Sequence, residues 1–447
     1  MATTANANRT TSFGGRLTRG RRLAALRALI VAAVAFGAAT AYAQAPDSGD
    51  SSWILISAAL VLFMTIPGLS LFYGGLVRSN GVLSVLMQCF AITCVVTLVW
   101  VAVGYSLAFG STGLVIGDFS RAFFHGMGPE NLEGTIPEGS FAIYQLMFAI
   151  ITPALIVGGF AERMRFSAVL LFVALWSLFV YVPVAHSVWG GGWLARIGLM
   201  DFAGGTVVHV AAGVSALVAA VMVGARTSFP DQVAPPHNMT LTVAGAGMLW
   251  VGWLGFNGGS ALAADGDAAM AIVATHVSAA AGASTWSAIE WARYGKPSAL
   301  GAVTGMVAGL GTITPAAGYV TPVAALLIGT CAGTVCFLVT QLMNLKLKID
   351  DSLDVFAVHA VGGGLGTILV AVFASTALGA FGGREEFEMV AQLRVQGIGV
   401  LAVGGYAAIV SWLILRTTDA LAGNRVSETD EVEGLDLASH NERGYIL

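Results

Sequence analysis

Long apolar stretches separated by short polar connections fill the chain from about residue 50 to residue 416. A helix that crosses a membrane core of about 30 Å needs roughly 20 apolar residues. Runs close to that length recur through the chain, and the eighth of them is short and interrupted by glycine. We therefore predict an all-α membrane protein with eleven transmembrane helices, at residues 53–77, 82–109, 140–160, 166–187, 203–224, 239–263, 268–292, 299–313, 320–345, 355–377 and 393–416.

The composition agrees with a protein embedded in membrane lipid. Of 447 residues, 56% are hydrophobic and 10% are charged, whereas soluble domains average about 25% charged residues. Glycine is abundant, and the series Gly301, Gly305 and Gly309 predicts a face where helices pack closely. We expect no nucleic-acid partner, because the charges lie almost entirely outside the apolar runs. Neither an enzyme nor a cofactor is expected, because the sequence contains no nucleophile motif, metal cluster or phosphate-binding glycine loop.

Both ends of the chain differ from the apolar body. Six arginines before residue 28, an apolar stretch at residues 29–40 and the small residues Ala41 and Ala43 are typical of a cleaved signal peptide. The alternative is a first transmembrane helix, for which this stretch is short. We predict a signal peptide at 1–43, a transmembrane domain at 44–416 and a polar, mobile cytoplasmic tail at 417–447.

The distribution of positive charge predicts the orientation in the membrane, because cytoplasmic connections are rich in Lys and Arg. One side carries eleven such residues with the tail: Arg78, Arg163, Arg165, Arg226, Arg293, Lys296, Lys346, Lys348, Arg416, Arg425 and Arg443. The other side carries four: Arg121, Arg196, Arg384 and Arg394. We therefore expect a multi-pass protein of the inner membrane, with a periplasmic mature N-terminus and a cytoplasmic C-terminus.

Two histidines lie inside apolar runs with similar sequences. His209 lies in GGTVVHVAAG and His359 in DVFAVHAVGG, 150 residues later (359 − 209). An isolated histidine in an apolar helix is most often a core residue with a satisfied side chain. Ionisable groups inside a membrane usually face the bundle interior and mark a pathway. We predict two five-helix repeats of inverted topology plus an eleventh helix, with the two imidazoles meeting at one site.

Structural roles are predicted for several other reactive residues. The four cysteines lie in apolar runs without neighbouring metal ligands, so we expect buried thiols at Cys89, Cys94, Cys331 and Cys336. Glu162 and Arg163, adjacent in a connection, are interpreted as an ion pair rather than a catalytic pair.

Several ordered blocks resemble the ammonium transporter family, which includes the relatives of Rhesus-type ammonia channels. They are ALVLFMTIPGLSLFYGGLVR, LIVGGFAERMRFSAVL, HSVWGGGW, DFAGGTVVH, GWLGFNGGSA, GKPSALGAVTGMVAGL, DVFAVHAVGG and EGLDLASH. The resemblance implies a homotrimer with one pore in each subunit. It also implies that a PII-type signalling protein binds the cytoplasmic face, with a role for the tail.

The same resemblance assigns site residues. It implies that ammonium is bound at an outer site by Phe148, Trp189 and Ser260 and passes a gate formed by Phe148 and Phe256. The alternatives are an interfacial aromatic belt, a helix-packing serine and ordinary core packing. Tyr144 departs from the phenylalanine often found there in relatives.

Asp201 and the histidine pair complete the predicted pathway. Asp201 precedes the fifth helix, where a carboxylate caps free N–H groups and favours a nearby cation. Neutral imidazoles at His209 and His359 would relay a proton and accept hydrogen bonds from ammonia. We expect an ammonium transporter that conducts ammonia and a proton separately. A passive channel for neutral ammonia stays open, as does a sensor acting through the tail, although about thirty residues leave no room for a signalling domain.

Overall fold

The computed structural model describes residues 24, 27, 45–111, 113–232, 235–378, 380 and 388–446. The chain divides into two units, Met1–Pro46 and Asp47–Leu447. All helices named below belong to the second unit. The predicted signal peptide at residues 1–43 lies outside the described residues, apart from Ala24 and Arg27, as does Arg384.

Helices dominate the described part of the chain, as the apolar pattern predicts. Ten of them are long and apolar enough to cross a membrane, and α8 is a shorter apolar helix. In chain order they are α1 Ser48–Leu76, α2 Val82–Phe109, α3 Glu138–Phe160, α4 Phe166–Arg196, α5 Gly205–Val223, α6 Met239–Gly259, α7 Gly266–Tyr294, α8 Ala299–Ile313, α9 Pro322–Leu347, α10 Phe356–Phe373 and α11 Met389–Ala422. Two short helices follow in the tail, α12 Glu428–Glu433 and α13 Leu435–His440.

The helix boundaries differ from the predicted ones mainly where polar residues continue a helix. Helix α11 extends beyond both ends of the apolar run, from Met389 to Ala422, because polar residues do not by themselves end a helix. Near its C-terminal end, helix α4 is interrupted by a turn, after which the short helical segment Trp193–Arg196 completes it. The connection between α2 and α3 contains a small antiparallel pair, β1 Leu132–Glu133 and β2 Ile136–Pro137.

Helix α3 is the central helix of the bundle. In its most apolar 18-residue window, 94% of the residues are buried, whereas the corresponding value for α11 is 33%. Helix α3 packs against α1, α2 and α5. Side chains on α3 are therefore placed to line the interior, while α11 lies at the periphery of the bundle.

The predicted glycine face of α8 is confirmed by its packing on α7. A Cβ atom at Gly305 would lie 2.5 Å from the Cβ atom of Trp286, and one at Gly309 would collide with the carbonyl oxygen of Ser278. A Cβ atom at Gly282 on α7 would in turn collide with the Gly305 carbonyl. The two helices approach this closely because neither carries a side chain at the crossing.

Arginines and carboxylates form a network at one end of the bundle, which we call the basic end. Glu162 binds Arg78 at 2.7 Å and Arg226 at 3.2 Å, and Arg226 also binds Asp350 at 2.7 Å. The predicted Glu162–Arg163 ion pair is wrong, because Arg163 lies 3.9 Å from Asp350 instead. Glu162 has a left-handed backbone, φ 70°, so the two adjacent side chains leave the chain in different directions.

The tail is docked on the basic end, so the prediction of a mobile tail is wrong. Leu435 is buried, and the carboxylate of Asp436 accepts a hydrogen bond from the backbone N–H of Ser84 at 2.8 Å. The carboxylate of Glu431 binds the backbone N–H of Thr227 and the guanidinium of Arg425, each at 2.8 Å. The polar composition concealed this docking because both buried carboxylates also bind backbone N–H groups outside the tail, at Thr227 and Ser84.

The cysteine prediction holds for two of the four thiols. Cys89 and Cys336 are buried, whereas Cys94 and Cys331 are exposed, and all four are free. The two exposed thiols lie on apolar helices, where the outward face is itself apolar, so an apolar run does not predict burial. Among the described residues, no group of three or more His, Cys, Asp or Glu side chains could hold a metal ion.

Candidate functional site

His209 and His359 meet inside the bundle, as the matched sequence stretches predict. Their Nδ1 atoms lie 3.2 Å apart, and the rings stack with centroids 5.2 Å apart and planes inclined by 23°. Each lies in a π-helical turn that begins its helix, Gly205–Val210 in α5 and Phe356–Val361 in α10. Such turns are rare in proteins as a whole, and those that occur are often located at functional sites. His209 is 1% exposed and His359 is 4% exposed.

The contact between the two Nδ1 atoms constrains the protons of the pair. A neutral imidazole has one N–H donor and one acceptor nitrogen. One Nδ1 atom therefore donates to the other, which leaves an acceptor Nε2 on the donating ring and an Nε2–H donor on the accepting ring. The Nε2 atom of His209 has no hydrogen-bond partner among the described residues. The pair is thus an ordered chain with a different hydrogen-bonding role at each end.

Glycines set the approach of the two histidine helices. A Cβ atom at Gly363, four residues after His359, would lie 2.6 Å from the Cβ atom of His209. A Cβ atom at Gly213, four residues after His209, would collide with the backbone of Ala360. The two glycines are related by the same 150-residue spacing as the histidines (363 − 213). Each helix therefore lacks a side chain where it crosses the other.

Asp201 caps the start of α5, as predicted. Its carboxylate accepts hydrogen bonds from the backbone N–H groups of Gly204, Gly205 and Thr206, at 2.9, 2.6 and 2.7 Å. Its backbone carbonyl accepts a hydrogen bond from the indole of Trp189 at 3.0 Å. Asp201 thereby ties the helix that carries His209 to an aromatic side chain assigned to the recruitment site.

Asp351 is the counterpart of Asp201, and the sequence interpretation missed it. It lies eight residues before His359, as Asp201 lies eight before His209, and its carboxylate accepts from the Phe356 backbone N–H at 2.6 Å. Burial, with the charge of Asp354 adding to it, raises the pKa of Asp351 to about 7. Comparison of the two histidine stretches one turn further upstream would have revealed this second cap.

Three residues after each cap, the backbone adopts the same unusual conformation. Gly204 has φ 117° and Asp354 has φ 57°. Both values lie in the left-handed region, which residues other than glycine seldom adopt. Burial raises the pKa of Asp354 to about 6, although a hydrogen bond from Asn344 opposes the shift. The shared cap and turn give the two histidine helices equivalent entries from opposite ends of the bundle, in keeping with an inverted repeat.

Two phenylalanine rings lie above the histidines. The ring centroids of Phe148 on α3 and Phe256 on α6 are 4.3 Å apart, and both side chains are buried. Phe256 also stacks on His209 at 6.1 Å. Phe148, Phe256, His209 and His359 therefore form one column of rings, as the predicted gate and histidine pair require.

The predicted recruitment residues surround the end of this column that lies farther from the histidines. Trp189 contacts Phe148 edge to face at 5.7 Å. Ser260 donates a hydrogen bond to the carbonyl of Phe256 at 2.8 Å, and its oxygen lies 3.3 Å from the hydroxyl of Tyr144. Trp189 and Ser260 are partly buried, in contrast to the rings beneath them. These residues come from α3, from α4 and from the C-terminal end of α6, so only the folded bundle brings them together.

Two cavities adjoin the histidine pair. An enclosed cavity beneath the phenylalanines is lined by Phe256, Trp253, His209 and His359 among others. A second cavity, at the basic end, is lined by His359, Asp354 and Arg226 among others. His359 lines both, so its ring lies between the enclosed cavity and the cavity at the basic end.

Sequence comparisons with known proteins match one family over most of the chain. Residues 52–445 match the sequence profile of the Ammonium Transporter Family. An ammonium transporter of Bacillus subtilis is 44% identical over 400 residues, which cover 89% of this chain and 98% of that protein.

Solved structures give the same result at the level of the fold. A protein described as a sensor Amt protein aligns with a TM-score of 0.81 and 29% identity, over 88% of this chain and 98% of that one. Mep2 of Saccharomyces cerevisiae aligns with a TM-score of 0.79 and 35% identity, over 86% and 88% of the two chains. The helical bundle and the column of four rings agree with these matches. The chain belongs to the ammonium transporter family, because its sequence matches the family profile and the Bacillus subtilis protein.

Proposed function

We propose that this protein recruits ammonium at the outer site formed by Trp189, Phe148 and Ser260, removes one proton, and conducts ammonia and the proton separately past His209 and His359. The observation that carries the proposal is the 3.2 Å contact between the two Nδ1 atoms inside a buried column of rings. Family membership supports ammonium or ammonia as the substrate.

Recruitment depends on groups that favour a cation without trapping it. Aromatic faces attract cations by about 0.5 to 2 kcal/mol each, and the edge-to-face contact of Trp189 with Phe148 leaves two such rings close together. The oxygen of Ser260 can accept an N–H hydrogen bond. A site of this strength concentrates ammonium at the mouth and still releases it.

Ammonium cannot pass the ring column as a bare ion. Moving an isolated ammonium into an apolar interior costs tens of kcal/mol in the Born limit, so the group loses its charge instead. The closely packed rings of Phe148 and Phe256 exclude hydrated ions from the same path, because apolar constrictions dewet. Potassium has no proton to lose, so selectivity rests on deprotonation rather than on ion size.

The imidazole pair can accept and pass on the released proton. A proton reaching the Nε2 acceptor of His209 makes that ring donate its Nδ1 proton to His359. His359 then releases its Nε2 proton toward the basic end, where its cavity also contains Asp354. Both rings finish in the opposite tautomer, so the hydrogen bond between them must reverse before the next cycle. Ammonia crosses as a neutral molecule that can bond to the same nitrogens.

We further infer the membrane arrangement from the sequence. All eleven apolar helices cross an inner membrane as two inverted five-helix repeats plus α11, with the mature N-terminus periplasmic and the tail cytoplasmic. Residues 1–43 are removed as a signal peptide, 44–416 form the transport domain, and 417–447 regulate it. The basic end is then the cytoplasmic face, as the excess of Lys and Arg there requires. Three copies assemble, each with its own pore.

The regulatory partner is a PII-type signalling protein that binds the basic end under ammonium-replete conditions. The docked tail supports a regulatory site at the basic end, because it binds Arg78, Asn80 and Ser84 near the cavity at that end. Deleting residues 427–447 should change the inhibition by that partner. Inhibition of equal strength in the truncated protein would argue against a role for the tail.

Charge movement distinguishes the proposal from a passive channel for neutral ammonia. Proteoliposomes containing the protein should show a current that depends on ammonium and moves one charge for each ammonium transported. Uptake without any current would establish the passive alternative. A sensor that does not transport would give neither signal, so the same measurement also tests the third possibility.

A further inference from the structure

The hydroxyl of Tyr144 occupies a buried position between the gate and the recruitment site. Its oxygen lies 2.8 Å from the carbonyl oxygen of Phe256, 3.1 Å from that of Gly255 and 3.3 Å from the hydroxyl oxygen of Ser260. Tyr144 is 0% exposed. A buried hydroxyl without partners would be costly, and here all three hydrogen-bond partners are oxygen atoms.

The number of protons available to the two hydroxyls limits the direction in which Ser260 can donate. Carbonyl oxygens only accept hydrogen bonds, whereas each hydroxyl has one proton to donate. If Ser260 donates to the Phe256 carbonyl, Tyr144 donates to Gly255 or to Ser260. If Tyr144 donates to the Phe256 carbonyl, Ser260 can donate to the second lone pair of the same oxygen or to the phenol oxygen. In each of these arrangements the proton of Ser260 points into the protein, and the serine keeps at least one lone pair for the vestibule.

We propose that Tyr144 is a positioning residue of the recruitment site, which holds the Ser260 hydroxyl as a hydrogen-bond acceptor for the N–H groups of the bound cation. The inference rests on the proposed role of Ser260 in recruitment. A serine alone can rotate its proton toward the ligand, where it repels N–H donors. The phenol opposes that rotation by offering a second internal acceptor and by closing the site behind the serine.

The ring of Tyr144 has a separate, structural role. It packs edge to face on Phe148 at 5.1 Å, and Phe148 in turn contacts Trp189 and Phe256. Phenylalanine at position 144 would preserve these ring contacts and remove only the hydroxyl. The Tyr144→Phe substitution therefore separates orientation of the serine from packing of the gate.

The test is the ammonium dependence of the current in proteoliposomes. Tyr144→Phe should raise the half-saturating ammonium concentration about 2- to 10-fold, the range expected for one orienting hydrogen bond. The maximal current per protein should change little, since the gate and the histidines are untouched. Tyr406→Phe is the matched control, because Tyr406 donates a 2.7 Å hydrogen bond to the Phe179 carbonyl on the exposed side of the bundle.

A double substitution distinguishes positioning from a general structural effect. In a Ser260→Ala background, Tyr144→Phe should produce no further increase in the half-saturating concentration, because the hydroxyl that it orients is gone. Equal and additive effects in both backgrounds would overturn the inference, as would an unchanged value in Tyr144→Phe alone. If Ser260→Ala itself leaves the value unchanged, the recruitment role of Ser260 fails, and the inference fails with it. Absence of any wild-type current or uptake would instead refute the transport proposal.

Discussion

The Nδ1 atoms of His209 and His359 are within 3.2 Å of each other, although 150 residues separate them in the chain (359 − 209). The contact joins α5 to α10 near their crossing, where each helix has a glycine in place of a side chain, Gly213 and Gly363. Neither ring lies against the surface of the bundle. The geometry therefore couples the last helices of the two proposed repeats through a single hydrogen bond.

Alanine at either histidine should abolish the ammonium current or its selectivity over potassium. The substitution removes one of the two linked nitrogens, so the proton has no continuous path. Ammonium- and potassium-evoked currents in proteoliposomes would measure both effects in His209→Ala and His359→Ala. Selective transport that persists unchanged in both variants would refute the relay.

Gly363→Ala should impair transport although both histidines are kept. The added methyl group would lie 2.6 Å from the Cβ atom of His209, so the ring must move and the Nδ1 contact must lengthen. Gly405→Ala in α11 is the matched control, because a Cβ atom there meets nothing within 4 Å. Equal currents in the two variants would mean that the spacing of the rings is not critical.

Phe256→Leu should weaken the exclusion of ions. Leucine fills less of the constriction and breaks the 4.3 Å contact with Phe148, but it removes less buried volume than alanine, for which a loss of about 3 to 5 kcal/mol is typical. We expect the ratio of ammonium to potassium current to fall while the protein still folds. Tight selectivity in the variant would place the gate elsewhere in the ring column.

Asp351→Asn should stabilise the protein at neutral pH and leave it unchanged under acidic conditions. Because burial raises the pKa of Asp351 from 3.8 to about 7, the folded protein binds more protons than the unfolded chain between these values. Wild-type stability therefore falls as the pH rises through this window. Asparagine keeps an acceptor for the Phe356 N–H and never ionises, so the difference in melting temperature should grow from about pH 4 to pH 7.

Asp350→Asn provides a control of opposite sign. Burial alone would raise the pKa of Asp350, but the hydrogen bonds and charge of Arg226 lower it. Its ionised form stabilises the fold, so the amide should lower the melting temperature at neutral pH. A melting temperature of Asp351→Asn that does not vary with pH relative to wild type would contradict the assigned shift.

Glu431→Gln should loosen the docked tail. The buried carboxylate binds both Thr227 and Arg425, and a hydrogen bond to a charged group contributes about 1.5 to 3 kcal/mol. Proteolysis of the tail should accelerate by about 10- to 100-fold if cleavage follows tail opening. Glu428→Gln, at an exposed position of the same short helix, should cleave at the wild-type rate. Equal rates for all three proteins would show that the tail is held by other contacts.

Much of the fold follows from the apolar pattern, because membrane helices must satisfy their own backbone hydrogen bonds over a fixed length. Helix α2, for example, begins and ends where the pattern predicts. The π-helical turns at His209 and His359 were not predictable, since they depend on packing between helices rather than on local residue preference. The docking of Glu431 and Asp436 was missed for the same reason, because the backbone N–H groups that they bind, at Thr227 and Ser84, lie more than 200 residues away in sequence.

The site was predictable in its membership but not in its connections. The histidines and phenylalanines were identified from matched stretches and from family resemblance, and the structure brings them into one column. The hydrogen bonds of Tyr144 and the second cap at Asp351 join residues from different helices or from outside the quoted motifs. Such contacts become visible only when the helices are assembled.

The two imidazoles differ in their access to reagents, because His359 lines the cavity at the basic end while His209 lies deeper, beneath Phe256. An imidazole-modifying reagent supplied from that end encounters His359 first. In the tautomer that starts the proposed relay, a compact blocker with one hydrogen-bond acceptor would be held there by the Nε2–H group of His359. The sidedness of such labelling offers a way to read the orientation of the protein in a vesicle.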